Sequence, residues 1–419
     1  MKTILSTKNF NKLLQIVICF NCAILLVPDQ FKGLPIITLL LLVVFRYIKL
    51  KDKPILATKT YGISIAFFII LLLSLLYTNN LSYGIKNLET SLSLIAFPTI
   101  FYIISGDKKI IDKNLINTLK ITFVFSVFFF LLTTFTYFYI TEPFYTFKST
   151  LVHYTNLVDI RINYYKIHPI YLSIYIGIAI IFVLSLIEKS KKNKKKLFLA
   201  ILLILILFIA ILNKKGPIIS LSIVGFLFLF KNKNNLKKIV SIVLISIVLI
   251  SAIVFIPKHK NINRFKELLN INQIKNDNNS STGIRLQIYN CALKQIAQSP
   301  LFGYGWGDVK TILNNCYNEK NKNLLNKNYN SHNQFLSILL SSGLIGFLAF
   351  TYYLFYLFKT SNNKESQVLF FLVLFFSLNM LTENILERED GVIVISFLIN
   401  FYLFSPIDEH KYIKSLNYD

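Results

Sequence analysis

The chain has 419 residues, of which 54% are hydrophobic, with a mean hydropathy of +0.56 and a formal net charge of +25. A soluble protein of this length carries more charge and fewer uninterrupted apolar runs, so the composition excludes that class and indicates an integral membrane protein. The apolar runs are continuous rather than alternating, which favours membrane helices over a β-barrel. The lysines cluster in short connectors instead of on one basic domain face, so nucleic-acid binding is not expected.

The first apolar run, residues 13–27, follows a basic start at Lys2, Lys8 and Lys12. Signal peptides and first membrane helices share that pattern. No small-residue cleavage site follows, because the next residues are Pro28-Asp29-Gln30-Phe31-Lys32. We therefore expect an uncleaved first helix.

Apolar periodicity predicts an all-α, polytopic membrane protein with about twelve transmembrane helices. The predicted spans are roughly 11–27, 33–50, 60–77, 91–105, 117–140, 168–187, 197–213, 216–230, 237–256, 332–358, 367–386 and 391–404. Every second connector is rich in lysine, and these connectors lie at about 46–59, 108–120, 189–196, 231–238 and 359–364. Because cytoplasmic loops are the basic ones, this alternation predicts that both termini are cytoplasmic.

Two segments on the lysine-poor side are long. Residues 141–167 contain Arg161 and several tyrosines, and they lead into His168-Pro169. Residues 258–331 form the larger segment. It divides the chain into residues 1–257, which hold predicted helices one to nine, and residues 332–419, which hold helices ten to twelve and a short cytoplasmic tail.

The larger segment is expected to contain an amphipathic helix that begins at Ser281 or Thr282 and ends near Ser299-Pro300. Arg285 lies near its start, beside a predicted apolar face. That face consists of Leu286, Tyr289, Leu293 and Ile296. Such a helix lies on the membrane surface or packs on the bundle. Arg285 is then either a solvated side chain or, since its planar fork matches phosphate oxygens, a diphosphate ligand.

The four cysteines fall into two pairs. Cys19 and Cys22 lie in the first apolar run and are expected to pack in the interior. Cys291 and Cys316 lie in the larger external segment, where they either form a disulfide or remain two free thiols. The only CxxC spacing, Cys19 to Cys22, lies inside the first apolar run, so a zinc site is not expected.

The tight turn Lys214-Lys215-Gly216-Pro217 places two lysines on the side that is otherwise poor in lysine. The two side chains either snorkel at helix ends or form an anion site that faces the outer leaflet. In the second interpretation Gly216-Pro217 makes the turn and restarts the next helix. The N-terminus of that helix would add partial positive charge to the site.

His332-Asn333 stands where the polar segment meets the next apolar run, and the chain has only five histidines. A histidine here is either a structural residue or, as an ionisable group at a membrane boundary, a base that activates a hydroxyl. The turn Gly303-Tyr304-Gly305-Trp306-Gly307 allows a sharp bend that brings backbone amides together. Gly343-Leu344-Ile345-Gly346 allows close helix packing.

The acidic residues of this region are Asp308, Glu383, and Glu387 with Glu389 and Asp390. We interpret them as structural partners of the cations rather than as catalytic groups. Additional candidates for substrate contact are Arg161, His168 and Asn333.

Four of these features occur in an order that resembles the bacterial O-antigen ligase and polymerase family, over about residues 200–350. They are Arg285, then Pro300-Leu301-Phe302-Gly303-Tyr304-Gly305, then His332-Asn333, then Gly343-Leu344-Ile345-Gly346. The turn Asn213-Lys214-Lys215-Gly216 stands where the family usually has Ser-Arg-Gly. Lys215 is therefore a departure that keeps the charge but loses the bidentate fork.

The resemblance implies a glycosyltransferase of the C-type superfold in the bacterial inner membrane, with a large periplasmic loop. Such an enzyme takes a glycan from undecaprenyl diphosphate and transfers it, with inversion and without metal or other cofactor, to a lipid, glycan or protein acceptor in lipopolysaccharide or polysaccharide biosynthesis. By this resemblance His332 is the base, and Arg285, Lys215 and Lys214 contact the diphosphate.

Three functions stay open at this point. A ligase ends the glycan on a lipid or protein, whereas a polymerase of the same family extends it by one repeat unit. A transporter or flippase would perform no chemistry. Transporters usually have inverted repeats and charged or broken helices at mid-membrane, neither of which is visible in the sequence.

Overall fold

The computed structural model describes residues 7–50, 58–105, 107, 109–142, 146–160, 167–231, 281–320, 322–363 and 366–405, and over these ranges the chain is helical without strands. The helices are α1 (Thr7–Cys22), α2 (Gly33–Leu50), α3 (Thr58–Leu73), α4 (Leu81–Thr90), α5 (Ser93–Ile103), α6 (Lys113–Thr141), α7 (Phe147–Ile160), α8 (Pro169–Lys189), α9 (Lys192–Leu212), α10 (Lys215–Lys231), α11 (Ser281–Gln298), α12 (Val309–Lys320), α13 (Lys322–Lys327), α14 (Gln334–Asn363), α15 (Gln367–Met380) and α16 (Glu389–Phe404). Short 3-10 turns lie at Ile24–Leu26, Asp29–Phe31, Ser74–Tyr77 and Ile385–Glu387.

Six stretches of the described helices are long and apolar enough to cross a membrane. They are Asp29–Lys49, Thr58–Tyr77, Lys113–Thr141, Pro169–Glu188, Lys192–Leu212 and Gln334–Asn362. The expected all-α membrane architecture is thereby confirmed. The count of twelve stays a prediction, because the ninth predicted span, 237–256, lies outside the described residues. The start of the larger external segment, 258–280, and the tail beyond residue 405 also lie outside them.

Two predicted elements differ from the structure. The span predicted at 91–105 is α5, whose 11 residues are too few to cross a bilayer at about 1.5 Å per residue. The connector predicted at 141–167 contains the 14-residue helix α7. Tyr154 of α7 is completely buried and its hydroxyl lies 2.8 Å from that of Thr134, so packing against α6 orders this segment.

Helix α8 lies at the centre of the bundle. Of the residues in its apolar stretch, 94% are buried, against 28% for the helix at Asp29–Lys49. Helix α8 is therefore surrounded by protein, whereas the helix at Asp29–Lys49 faces lipid. Helix α16 is also buried from Gly391 to Phe404. His168 lies immediately before the first residue of α8.

Polar contacts at the starts of several helices define one end of the bundle. Lys32, just before α2, pairs with Asp390 at the start of α16, and the Tyr171 hydroxyl of α8 donates to the Asn384 carbonyl. We call this the loop end, because residues 281–331 lie there. At the opposite end Arg46 pairs with Asp107, between α5 and α6.

Residues 281–331, the loop module, have a small core of their own. Its buried side chains come from α11, α12 and α13, and Leu340 of α14 completes it. They are Ile288, Cys291, Ala292, Leu313, Cys316, Tyr317 and Leu324. Cys291 and Cys316 form a disulfide with a Cα–Cα distance of 5.8 Å, which resolves the two alternatives left by the sequence.

The buried face of α11 is rotated from the predicted one. Leu293, expected in the apolar face, is 54% exposed, whereas Ile288 and Ala292 are completely buried. The disulfide at Cys291 and the packing of α12 draw this side of the helix inward. The opposite side, with Arg285 and Leu286, is left to face the bundle.

The glycine turn after Pro300 joins the loop module to α14 through backbone atoms. Tyr304 N donates to the Leu340 carbonyl at 2.8 Å, and Leu344 N donates to the Pro300 carbonyl at 2.8 Å. Gly343 makes room for this exchange by interrupting α14 with a φ of 61°, a value that favours glycine. The N–H groups of Tyr304 and Gly305 in this turn therefore both have carbonyl partners on α14.

Candidate active site

His332 is held at the loop end by contacts of its backbone and its ring. Its N–H donates to Asn330 Oδ1 at 3.2 Å, and its carbonyl accepts from the Tyr289 hydroxyl at 3.1 Å. Its φ is 46°, a left-handed conformation that few non-glycine residues adopt. The ring of Tyr329 packs beside the imidazole, with 5.5 Å between ring centres. The imidazole is therefore fixed in orientation rather than free to rotate into solvent.

Asn333 begins α14. Its Oδ1 accepts from Phe335 N at 2.9 Å and from Leu336 N at 3.2 Å, which satisfies two N–H groups that the first helical turn leaves unpaired. Its Nδ2 donates to the Leu381 carbonyl at 3.1 Å. The Asn333 side chain thus joins the start of α14 to the segment that carries Glu383.

Glu383 lies directly against His332. The distance from His332 Nδ1 to Glu383 Oε2 is 3.3 Å, and Arg285 Nη2 lies 3.8 Å from the same oxygen. Burial raises the pKa of Glu383, but the hydrogen bond and charge of His332 and the charges of Arg285 and His168 outweigh it. The pKa of Glu383 therefore lies below its ordinary value, and the group is a carboxylate at neutral pH.

The contact between His332 and Glu383 determines which ring nitrogen of His332 can act as a base. A carboxylate that accepts from Nδ1–H leaves Nε2 as the ring nitrogen that can take a proton. The arrangement is that of a general base held by an acidic partner. Glu383 was expected to be a partner for cations, and the structure adds that it is also the partner of the candidate base.

A cavity of about 360 Å³ opens next to Glu383: its lining includes the preceding residue, Thr382, and Arg285, but neither His332 nor Glu383 itself. Arg285 and Lys215 border it, together with the hydroxyl side chains Thr282 and Thr382. The remaining lining is mainly apolar and includes Ile219, Ile223, Leu286, Leu378 and Leu381. The cavity thus combines two cations with an apolar wall, which suits a ligand that has an anionic head and a hydrocarbon part.

Residues 200–351 match the O-antigen ligase family. The match includes α10 with Lys215, α11 with Arg285, and His332, and it confirms the resemblance inferred from the motif order. An uncharacterized protein of Haemophilus influenzae is 30% identical over 146 residues, which are 33% of this chain and 37% of that protein. The chain therefore spans little more than a third of that relative's length.

Within the segment that matches this family, the lysine turn has a different geometry from the predicted one. Asn213, with a φ of 47°, ends α9, and α10 begins at Lys215. Gly216 and Pro217 therefore lie inside the first turn of α10 instead of forming the connection. A Cβ on Gly216 would lie 2.5 Å from Thr382 Oγ1, so glycine here permits close approach of α10 to the segment before Glu383.

His168 and Lys214 lie outside the lining of the cavity. His168 Nδ1 accepts from Ile170 N at 3.3 Å and so caps α8. Desolvation lowers the pKa of His168; Asp159 and Glu383 oppose that shift, and Lys214 and Arg388 add to it. His168 is thus a structural cap near the site, and its expected contact with substrate stays a prediction. Arg161 lies outside the described residues.

The other acidic residues behave in two ways. Asp390 pairs with Lys32, as expected of a partner for cations. Asp308 instead accepts from two backbone groups, Asn79 N at 2.6 Å and Asn80 N at 2.9 Å, so that expectation is wrong for its described contacts. Asp308 thus ties the glycine turn to the start of α4.

Glu387 has uncharged partners. Its carboxyl group accepts from the Ser337 hydroxyl and from Asn384 Nδ2, the latter at 2.8 Å. Burial raises the pKa of Glu387 in spite of these hydrogen bonds. The group stabilises the contact between α14 and the turn before α16. Across the described ranges no cluster of three or more His, Cys, Asp or Glu side chains is arranged to hold a metal ion.

Proposed function

We propose that this protein transfers a glycan from undecaprenyl diphosphate to an acceptor hydroxyl at the periplasmic face of the bacterial inner membrane. The family match supports a membrane glycan-transferring enzyme. The donor, the inverting course and the roles of individual residues are part of the proposal. The observation that carries it is the Glu383–His332 pair beside a cavity bordered by Arg285 and Lys215.

In the proposed reaction His332 Nε2 takes the proton of the acceptor hydroxyl. The acceptor oxygen then forms a bond to the anomeric carbon, and the bond between that carbon and the diphosphate oxygen breaks. Undecaprenyl diphosphate leaves with the electron pair, and attack from the opposite face inverts the anomeric centre. Glu383 stabilises the imidazolium that forms, as an acidic partner does for other histidine bases.

The leaving diphosphate needs compensation for its negative charge. Arg285 and Lys215 are the cations that border the cavity, and in a partly dry site such charges act more strongly than in water. Lys214 adds to the positive potential from the start of α10. These side chains supply charge stabilisation without requiring a group from outside the chain.

The apolar wall of the cavity supports a lipid donor. Ile219 and Ile223 lie on α10 one turn apart, and Leu378 lies opposite them on α15. We propose that the first isoprene units follow these side chains toward the bilayer while the diphosphate stays between Arg285 and Lys215. The cationic part of the cavity thus matches the diphosphate, and its apolar part matches the isoprene chain.

Two observations support the orientation. The Cys291–Cys316 disulfide lies at the loop end, and disulfides persist in oxidising compartments. The lysine-rich connector between α8 and α9 lies at the other end of α8 from His168, as expected of a cytoplasmic loop. We therefore propose that the loop end faces the periplasm and that both termini are cytoplasmic.

A ligase and a polymerase differ in the acceptor that receives the glycan, and we propose that this protein is a ligase. A deletion strain is expected to accumulate unlinked glycan polymer. Accumulation of single repeat units instead would assign the polymerase reaction, and a normal glycan profile would contradict both.

The sharpest test is His332→Ala in that deletion strain. We expect membrane levels equal to wild type and a loss of transfer of about a hundredfold or more, since a general base contributes on this scale. His153→Ala, a histidine on α7 away from the cavity, is the matched control and should transfer normally. Full activity of His332→Ala would remove the proposed base.

A further inference from the structure

The backbone conformation of His332 needs external support. Besides glycine, only Asn213, Asn328 and His332 have a positive φ among the described residues, and asparagine adopts this region more readily than most side chains. Such a conformation persists only where surrounding contacts determine it. The groups that hold the His332 backbone therefore control where its ring points.

The Tyr289 hydroxyl is one of those groups. It lies 3.1 Å from the His332 carbonyl and 3.2 Å from the Leu381 carbonyl. A phenol has one proton to donate, so the two carbonyls share it. Leu381 is two residues before Glu383, so one hydroxyl bridges the segment that carries the imidazole and the segment that carries its carboxylate.

A second contact supports the same bridge. Asn333 Nδ2 also donates to the Leu381 carbonyl, at 3.1 Å. The Leu381 carbonyl thus accepts from the residue after His332 and lies within reach of Tyr289. Burial raises the pKa of Tyr289, and the nearby Arg285 charge and Asn333 hydrogen bond only partly oppose this, so the phenol keeps its proton.

Tyr289 also belongs to the cavity. It lies four residues after Arg285 on α11, so the two side chains point to the same face one turn apart, and both line the cavity. Cys291, which forms the disulfide with Cys316, lies two residues after Tyr289 on the same helix. Helix α11 therefore touches the proposed diphosphate site and the base segment at once.

We propose that Tyr289 is a positioning residue that holds His332 and Glu383 in mutual alignment through its hydroxyl. This inference rests on the proposed function. Tyr289 has no assigned part in the chemical step, because its hydroxyl faces two carbonyls rather than the imidazole. Its effect should therefore be on turnover and on the state of the His332 ring, not on donor affinity.

The test compares Tyr289→Phe with Tyr304→Phe in the full-length, detergent-purified protein. Each variant loses only a hydroxyl that lies close to a backbone carbonyl. The Tyr304 hydroxyl donates to the Gln295 carbonyl at 2.9 Å, within the loop module and away from His332. Both variants keep the aromatic ring and its packing, and retention of the Cys291–Cys316 disulfide together with the thermal unfolding midpoint reports that they are folded.

The first measurement is the rate of carbethoxylation of His332 by diethyl pyrocarbonate, quantified by mass spectrometry of its peptide. His153 and His168 serve as internal references. In Tyr289→Phe we expect His332 to react about threefold faster or more, because its ring is released from Glu383, with the references unchanged. Tyr304→Phe should match wild type at all three histidines.

The second measurement separates turnover from binding. We expect Tyr289→Phe to lower kcat about tenfold while KM for the glycan donor stays within about twofold, as for a group that aligns the base without binding substrate. Binding of undecaprenyl diphosphate, used as the probe, should be unchanged. Wild-type labelling of His332 together with wild-type kcat would overturn the inference, as would a tenfold rise in KM with unchanged labelling.

The outcome for His332→Ala keeps this inference distinct from the proposed function. Inactive His332→Ala with unaffected Tyr289→Phe would retain the base and remove the positioning role. Active His332→Ala would remove the proposed base, whatever the labelling result.

Discussion

His332 Nδ1 lies 3.3 Å from Glu383 Oε2, although 51 residues separate the two in the sequence. The contact joins the residue before α14 to the connector between α15 and α16. Glu383 is buried, and Arg285 Nη2 lies 3.8 Å from the same carboxylate oxygen, so both His332 and Arg285 hold the carboxylate in place. A change at Glu383 should therefore affect both the proposed chemistry and the stability of the fold.

Glu383→Gln should lower glycan transfer by roughly a hundredfold, because an amide keeps the shape but does not stabilise an imidazolium. Transfer by the purified protein is the measurement. Glu319→Gln is the control, since Glu319 is an exposed residue of the loop module that pairs with Lys294 at 3.2 Å. Equal activity of the two variants would contradict the pairing.

The stability contribution of Glu383 should depend on pH. Its folded-state pKa lies below its ordinary value, so the contribution is present above the ordinary pKa and is lost as the pH falls through the lower, folded one. We expect the thermal midpoints of wild type and Glu383→Gln to differ most at neutral pH and to converge in acid. A difference that grows in acid would reverse the assigned direction.

Lys215→Arg should bind undecaprenyl diphosphate at least as tightly as wild type, because arginine adds a planar fork of donors. Lys215→Gln should weaken binding about tenfold, since a charge-assisted contact is lost. Competition by undecaprenyl diphosphate in the transfer assay measures both. Lys294→Gln, on α11 but paired with Glu319 at the surface, should compete as wild type does. An unchanged Lys215→Gln would place the diphosphate elsewhere.

Gly343→Ala should destabilise the loop module by about 1–3 kcal/mol, because the positive φ and a close backbone approach both oppose a side chain. A Cβ there would lie 2.2 Å from the Leu301 carbonyl oxygen. Faster tryptic cleavage within residues 281–331 is the measurement. Gly62→Ala is the control, because a Cβ on Gly62 meets nothing within 4 Å. Equal cleavage of the two variants would contradict the docking.

The disulfide should be detectable as two protected thiols. Of the four cysteines, Cys19 and Cys22 are free and Cys291 and Cys316 are paired. Maleimide labelling of the denatured protein should therefore add two labels without reductant and four with it. Replacing both paired cysteines by serine should destabilise the module by about 3 kcal/mol, as expected for a loop of this length. Four labels without reductant would contradict the pairing.

The sequence was sufficient for most helices, because long apolar runs bounded by charged connectors have few alternatives. It predicted α2 at 33–50, where the structure has Gly33–Leu50. It was insufficient where tertiary contacts decide. Helix α7 depends on packing of Tyr154, and the inward face of α11 depends on the disulfide at Cys291.

The candidate site was predictable in part. His332, Arg285 and Lys215 were found from motif order, and the structure brings them to one end of the bundle. Glu383 was recognised only as a possible partner of cations, because nothing local links it to His332. Tyr289 was assigned to an apolar face, since a tyrosine at helical spacing gives no sign that its hydroxyl bridges two distant carbonyls.

The turn after Pro300 is hydrogen-bonded to α14 through main-chain atoms, among them Tyr304 N and Leu344 N. Main-chain recognition is indifferent to side-chain identity, so Leu301 and Phe302, both more than half exposed, can be exchanged without moving the turn. Related chains are then free to adapt this surface to different lipids or glycans while the glycines stay fixed. Variation should accordingly accumulate at positions 301 and 302 and be absent from 303 and 343.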